Sequence, residues 1–276
     1  MHASTVRNLL VRGMIAGVLA GLCAFALAYV AGEPSVRDSI AQERIHQEEA
    51  HSAADSAPDS APAHQHGGEE EEEELVSRPV QSTFGLATGV LVYGVALGGI
   101  ASLVFAGCLG RIGRFGPRAT AALLAGGAFV TICLVPFLKY PATPPAVGSP
   151  DTIGTRTTLF FLMILLSVLL AVAAVIAGRR LAPRLGNWNA AVAAGGGYAV
   201  AVAVACLVLP GNTDAVPATF PAALLWEFRL ASIGVQALLW TAFGLIFGAL
   251  AERALRPGTA AAVAAGEGAT PVRTAG

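Results

Sequence analysis

Six apolar runs, each long enough to cross a bilayer, constrain this 276-residue chain more than any motif does. They cover approximately Leu9 to Ala31, Thr83 to Leu109, Ala119 to Leu138, Thr157 to Ala177, Trp188 to Leu209 and Leu230 to Leu250. A helix rises about 1.5 Å per residue, so about 20 residues span a hydrocarbon core of about 30 Å. Charged residues make up 13% of the chain and hydrophobic ones 55%, where soluble domains carry about 25% charge. The expected fold class is an all-α integral membrane protein, a bundle of about six transmembrane helices. Lipid is its first partner.

The first run is N-terminal, follows Arg7 and ends in small residues, as a signal peptide would. Its apolar core exceeds the 7–15 residues or so of a signal h-region, so a retained helix is expected. Leu22 before Cys23 argues against a lipoprotein site, where a small residue is expected. Arginines and the one lysine then fix orientation. Arg7, Arg12, Arg111, Arg114, Arg118, Arg179, Arg180, Arg184, Arg253, Arg256 and Arg273, 11 of 17 basic residues, fall on one side. By the positive-inside rule both termini are cytoplasmic. The organisation expected is residues 1–32, first membrane helix; 33–80, extracytoplasmic loop; 81–252, a five-helix membrane domain; 253–276, a disordered cytoplasmic tail.

The loop is the one long polar insertion. It holds His46, His51, His64 and His66, and 13 of the chain's 18 carboxylates, including the run Glu69, Glu70, Glu71, Glu72, Glu73 and Glu74. Imidazole and carboxylate ligate divalent transition metals. Ser35 to Ala53 reads as an amphipathic surface helix, and SAADSAPDSAPA after it as a disordered tether. Ligands recruited from a tether must be ordered on binding, so affinity is modest and the loop concentrates ions without choosing among them. The alternative is a solvated acidic spacer with incidental histidines.

A second group of polar residues maps to the outward helix ends: Glu33, Gln81, Ser82, Thr83, Lys139, Tyr140, Asp151, Asp214, Glu227, Arg229 and Gln236. Ionisable groups near the bilayer are expensive and mark a substrate path or a paired structural contact. Glu33, Gln81, Lys139, Tyr140, Glu227, Arg229 and Gln236 are the translocation-path candidates; interfacial anchors or ion pairs at helix ends are the other reading. Pro136 predicts a kink near Val135, either a gate or a fixed bend. Glycines four residues apart (Gly13, Gly17 and Gly21; Gly85 and Gly89; Gly94 and Gly98; Gly244 and Gly248) predict close helix contacts. Cys23, Cys108, Cys133 and Cys206 lack ligand spacing and read as small buried hydrophobes. There is no P-loop, no HExxH and no basic aromatic face, which argues against an ATP-driven pump, a zinc protease or a nucleic-acid binder. No enzyme activity and no permanently bound cofactor are expected.

Several separated segments, in order, resemble the CbtA family of proposed cobalt transporter subunits. They are RNLLVRGMIAGVLAGL, AGEPSV, ELVSRPVQSTFGLATGVLVYGVALGG, VPFLKYPATPPAVGSPDTIGTRT and WEFRLASIGVQALLW, and the likeness runs from about Val6 to Arg253. The resemblance implies cobalt(II) as substrate, a role in uptake for cobalamin biosynthesis, and a small single-helix, His-rich partner subunit, CbtB. It supplies no binding residues. A non-transporting membrane docking or stabilising subunit, and a permease for a small organic substrate using Glu227, Arg229 and Gln236, are the alternatives.

Overall fold

The computed structural model describes residues 3–55, 81–145, 147–148, 150–211, 216 and 219–256, and these are all-helical, with no strand among them. Helix α1 (Ala3–Leu27) passes through a π-helical turn (Ala28–Gly32) into α2 (Glu33–Asp55). A second π-turn (Gln81–Gly85) leads into α3 (Leu86–Cys108). Then α4 (Pro117–Ala128) runs through a third (Phe129–Leu134) into the short α5 (Val135–Lys139). A 3-10 turn (Pro150–Thr152), α6 (Ile153–Val208) and α7 (Ala222–Leu255) complete the order.

Two of the π-turns have a cause in proline. Pro34 has no N–H, and its ring would strike the carbonyl of Val30, one turn back. One extra residue in the turn moves that carbonyl aside, and the Glu33 N–H bonds to Ala28 instead, five residues back. The helix therefore does not stop at Gly32 as the sequence suggested; it continues into the polar α2. Pro136 acts likewise on Phe129–Leu134. Its disturbance falls about a turn before Val135, where Thr131 Oγ1 also bonds the Gly127 carbonyl at 2.9 Å.

Among the described residues five helical stretches are long and apolar enough to cross a membrane: Ala3–Ile45, Thr83–Cys108, Pro117–Lys139, Ile153–Val208 and Ala222–Leu255. The sequence suggested about six, because the runs Thr157–Ala177 and Trp188–Leu209 are joined here in α6. This element has 56 residues, about 84 Å if straight, against a core of about 30 Å. It is not straight. Gly186 has φ +77°, a backbone state that side chains disfavour, with Pro183 just before it. Ser167 and Tyr198 would lie about 46 Å apart on a straight helix, yet their hydroxyls are 2.9 Å apart. A Cβ at Gly178 would stand 3.1 Å from that of Ala194. The two arms of α6 fold back as a hairpin.

The chain divides into two compact units. The first comprises Met1–Ala24, Val90–Thr131 and Gln236–Gly276. In it, Gly13 and Gly17 of α1 lie backbone to backbone against Gly98 and Gly94 of α3, so close that a Cβ at Gly17 would collide with the Gly94 carbonyl. Gly244 and Gly248 of α7 accept Ala125, Ala121 and Arg118 of α4 in the same way. Phe105 and Phe247 meet edge to face at 5.0 Å, and both are buried. Arg12 Nη1 donates to the Leu250 carbonyl at 2.7 Å, its Nε to Asn8 Oδ1 at 2.9 Å.

The second unit comprises Phe25–Gly89 and Ile132–Val235. It contains the α6 hairpin, α2 and the loops at either end of α6. Among the described residues Gly85 and Gly89 meet nothing within 4 Å of an added Cβ, so the expected close-packing face is not found there. The cysteines are all free, but Cys23 is exposed and the others are half-buried. Lipid is as apolar as a protein core, so apolar residues need not be buried in a span. Leu207 at 85% and Val208 at 78% exposure make the same point.

Candidate functional site

The loop residues come first. His46 and His51 lie on α2, where five residues at about 100° each put them about 140° apart around the helix. His64, His66 and Glu69 to Glu74 lie outside the described residues, as does Asp214. Among the described residues no three His, Cys, Asp or Glu side chains are placed to hold a metal ion.

The path candidates are better defined. Glu33 is buried at the start of α2, its Oε1 3.5 Å from Nε of the exposed Arg37 one turn on. The helix is continuous through the π-turn, and the Arg37 guanidinium is one partner of the Glu33 carboxylate. Beside it α2 also buries Ser35 and Ser39, with Ser39 Oγ donating to the Ser35 carbonyl at 2.7 Å. Gln81 sits in the π-turn before α3.

Lys139 ends α5, its Nζ 5.8 Å from the centre of the Tyr140 ring. The Tyr140 ring is buried, and its hydroxyl donates to the Pro210 carbonyl at 2.8 Å, just beyond α6. Burial, with Cys206 nearby, pushes the Tyr140 phenol above its ordinary value, so it stays protonated and able to donate. Arg229 of α7 reaches the same elbow, its Nε making a long bond to the Ala142 carbonyl at 3.4 Å. A small apolar cluster of Val147, Phe220 and Leu224, with Leu225 against it, closes the loops between.

The structure thus brings Lys139, Tyr140 and Arg229 together around Pro141 and Ala142. Glu227 is exposed on the first turns of α7, and Gln236 is half-buried two turns beyond Arg229. Tyr140 and Arg229 tie loop carbonyls, which sequence patterning could not show, since any residue supplies a carbonyl. Nor did it single out the Ser167 and Tyr198 pair. Ser167 is the one serine within its apolar run and Tyr198 the one hydroxyl within its own, and that was the available signal.

Helices of this length, presenting large apolar side chains outward, define a multi-pass membrane protein. The chain belongs to the CbtA family, described as "Probable cobalt transporter subunit (CbtA)", whose sequence model matches residues 6–252. No curated protein matches it. No solved structure matches it either.

Proposed function

We propose that this chain is the permease subunit of a cobalt(II) uptake system in the cell inner membrane, supporting cobalamin biosynthesis and working with the single-helix, His-rich CbtB. The observation that carries the reading is the family match over residues 6–252, together with five helices long enough to cross a membrane among the described residues. Catalysis has no part in it, and cobalt(II) passes through as cargo. The α6 hairpin supplies two crossings, giving six in all with both termini cytoplasmic and the polar loop outside. The loop's His46, His51, His64 and His66 and its six consecutive glutamates gather cations at the outer face. Attraction by the glutamates is electrostatic and would survive His-to-Ala changes.

In this reading the outer helix ends form the mouth. Tyr140 and Arg229 are positioning residues that fix its loops, while Glu33, Gln81, Lys139, Glu227 and Gln236 line the way in. The test is uptake of radioactive cobalt into cells lacking other importers, with this chain expressed with and without CbtB. Uptake above background with the pair present is expected. None from a verified, membrane-inserted pair would replace the permease by a docking or stabilising subunit. Deleting residues Ala53 to Glu74 should raise the cobalt concentration needed for uptake without preventing insertion. Unchanged uptake at limiting cobalt would overturn the loop's role alone.

A further inference from the structure

The first unit carries a charge imbalance that cobalt capture does not use. Its described residues include Arg7, Arg12, Arg111, Arg114, Arg118, Arg253 and Arg256, against one carboxylate, Glu252. Glu252 is already taken, by Arg118 at 2.8 Å and Arg256 at 3.5 Å. Arg12 is turned inward onto Leu250. Arg7, Arg111 and Arg114 are exposed, and no carboxylate among the described residues pairs with them. Between the first turns of α1 and the end of α3 lies an open groove, lined by Val6, Ala106, Gly107, Leu109, Gly110 and Arg111.

We propose that this groove binds the phosphate headgroup of an anionic phospholipid, with Arg111, which lines it, as its ligand and the exposed Arg7, one residue beyond the lining Val6, adding to the positive charge nearby. Arg111 Nη1 donates to the Gly107 carbonyl at 2.7 Å, which holds the guanidinium at the groove and leaves its other N–H donors for an oxyanion. A guanidinium fork matches two phosphate oxygens at once. Gly107 and Gly110 keep the groove open, for a Cβ at either meets nothing within 4 Å. Val6, Ala106 and Leu109 give it apolar walls, which suit the glycerol and upper acyl chain of a lipid and offer nothing to a free anion. The cluster lies at helix ends, where headgroups lie, on the side that the positive-inside rule makes cytoplasmic. The site rests on the membrane-embedded reading and is independent of cobalt.

The test uses the purified full chain in a neutral detergent, titrated with phosphatidylglycerol, phosphatidylethanolamine or inorganic phosphate while its thermal unfolding midpoint is followed. Phosphatidylglycerol should raise the midpoint and the other two should not. In the double variant Arg7→Gln/Arg111→Gln the phosphatidylglycerol concentration for half the effect should rise by about fivefold per arginine lost, the weight of one juxtamembrane cation. Gly107→Leu, which keeps both arginines and grows into open space, should weaken the effect as well, so the result does not hang on one variant folding. Arg179→Gln/Arg180→Gln, at the α6 bend, should leave it unchanged. A phosphatidylglycerol response unaltered in the first two variants, or one reproduced by inorganic phosphate, would overturn the proposal. Neither outcome bears on cobalt uptake.

Discussion

The two units of this chain are held by different physics. In the first, α1 meets α3 and α7 meets α4 through glycine and alanine, backbone against backbone. In the second, the loops that join helices are held by side chains reaching single carbonyls, Tyr140 to Pro210 and Arg229 to Ala142, and by a cluster of Val147, Phe220 and Leu224. Lipid gives apolar helices no hydrophobic reason to associate, so the spans need close van der Waals fit. Loops at the interface have water and polar backbone, so hydrogen bonds and small apolar clusters suffice. The lesson is that sensitivity to substitution should differ in kind between the two.

The largest effect is expected at Gly17. A side chain there lands on the Gly94 carbonyl, and neither backbone can give without separating α1 from α3. Gly17→Val should cost about 3 kcal/mol or more, read as loss of monodisperse protein and of its unfolding midpoint in mixed micelles. Gly89→Ala, in the second unit, meets nothing within 4 Å and should stay within about 0.5 kcal/mol. Equal losses at both would break the comparison.

Tyr140→Phe comes next. The ring's packing remains, but the Pro210 carbonyl loses its donor, at a cost of about 1–2 kcal/mol. Since the loss is local, the loop after α6 should be cut faster by added protease while helical content is unchanged. A fall in helical content instead would make the loops as cooperative as the glycine contacts. Smaller still is Glu252→Gln. Arg118, its partner, is 62% exposed, so the pair is screened and should contribute under about 1 kcal/mol, less as salt is raised.

How much of this was legible beforehand follows the same division. Gly13, Gly17, Gly94, Gly98, Gly244 and Gly248 announced their contacts because a four-residue repeat of small residues has one common use in lipid. Gly85 and Gly89 share the spacing, yet among the described residues nothing lies within 4 Å of an added Cβ, since the pattern names a face without naming what covers it. Pro136 announced a disturbed helix, whereas nothing at Pro34 announced that an added residue would carry the first helix on into α2. Tyr140 and Arg229 were legible as polar residues at helix ends. Their tying role was not, because their acceptors are main-chain atoms of Pro210 and Ala142. The family was legible because five separated segments agree in order, which no single contact could have supplied.

A small effect tests the hairpin. Ser167 is fully buried and its hydroxyl meets that of Tyr198 across the two arms of α6. Hydrogen bonds between helices in membranes contribute about 0.6 kcal/mol on average, because the separated helices find other partners. Ser167→Ala should therefore cost about that much, too little to interpret alone. A double-mutant cycle with Tyr198→Phe isolates the pair, since each change removes the same bond and little else. Coupling of about 0.6 kcal/mol would place Ser167 and Tyr198 side by side, as only a reversal at Gly186 allows. Coupling indistinguishable from zero, with both variants folded, would separate the arms and remove the geometric reason for counting α6 as two crossings.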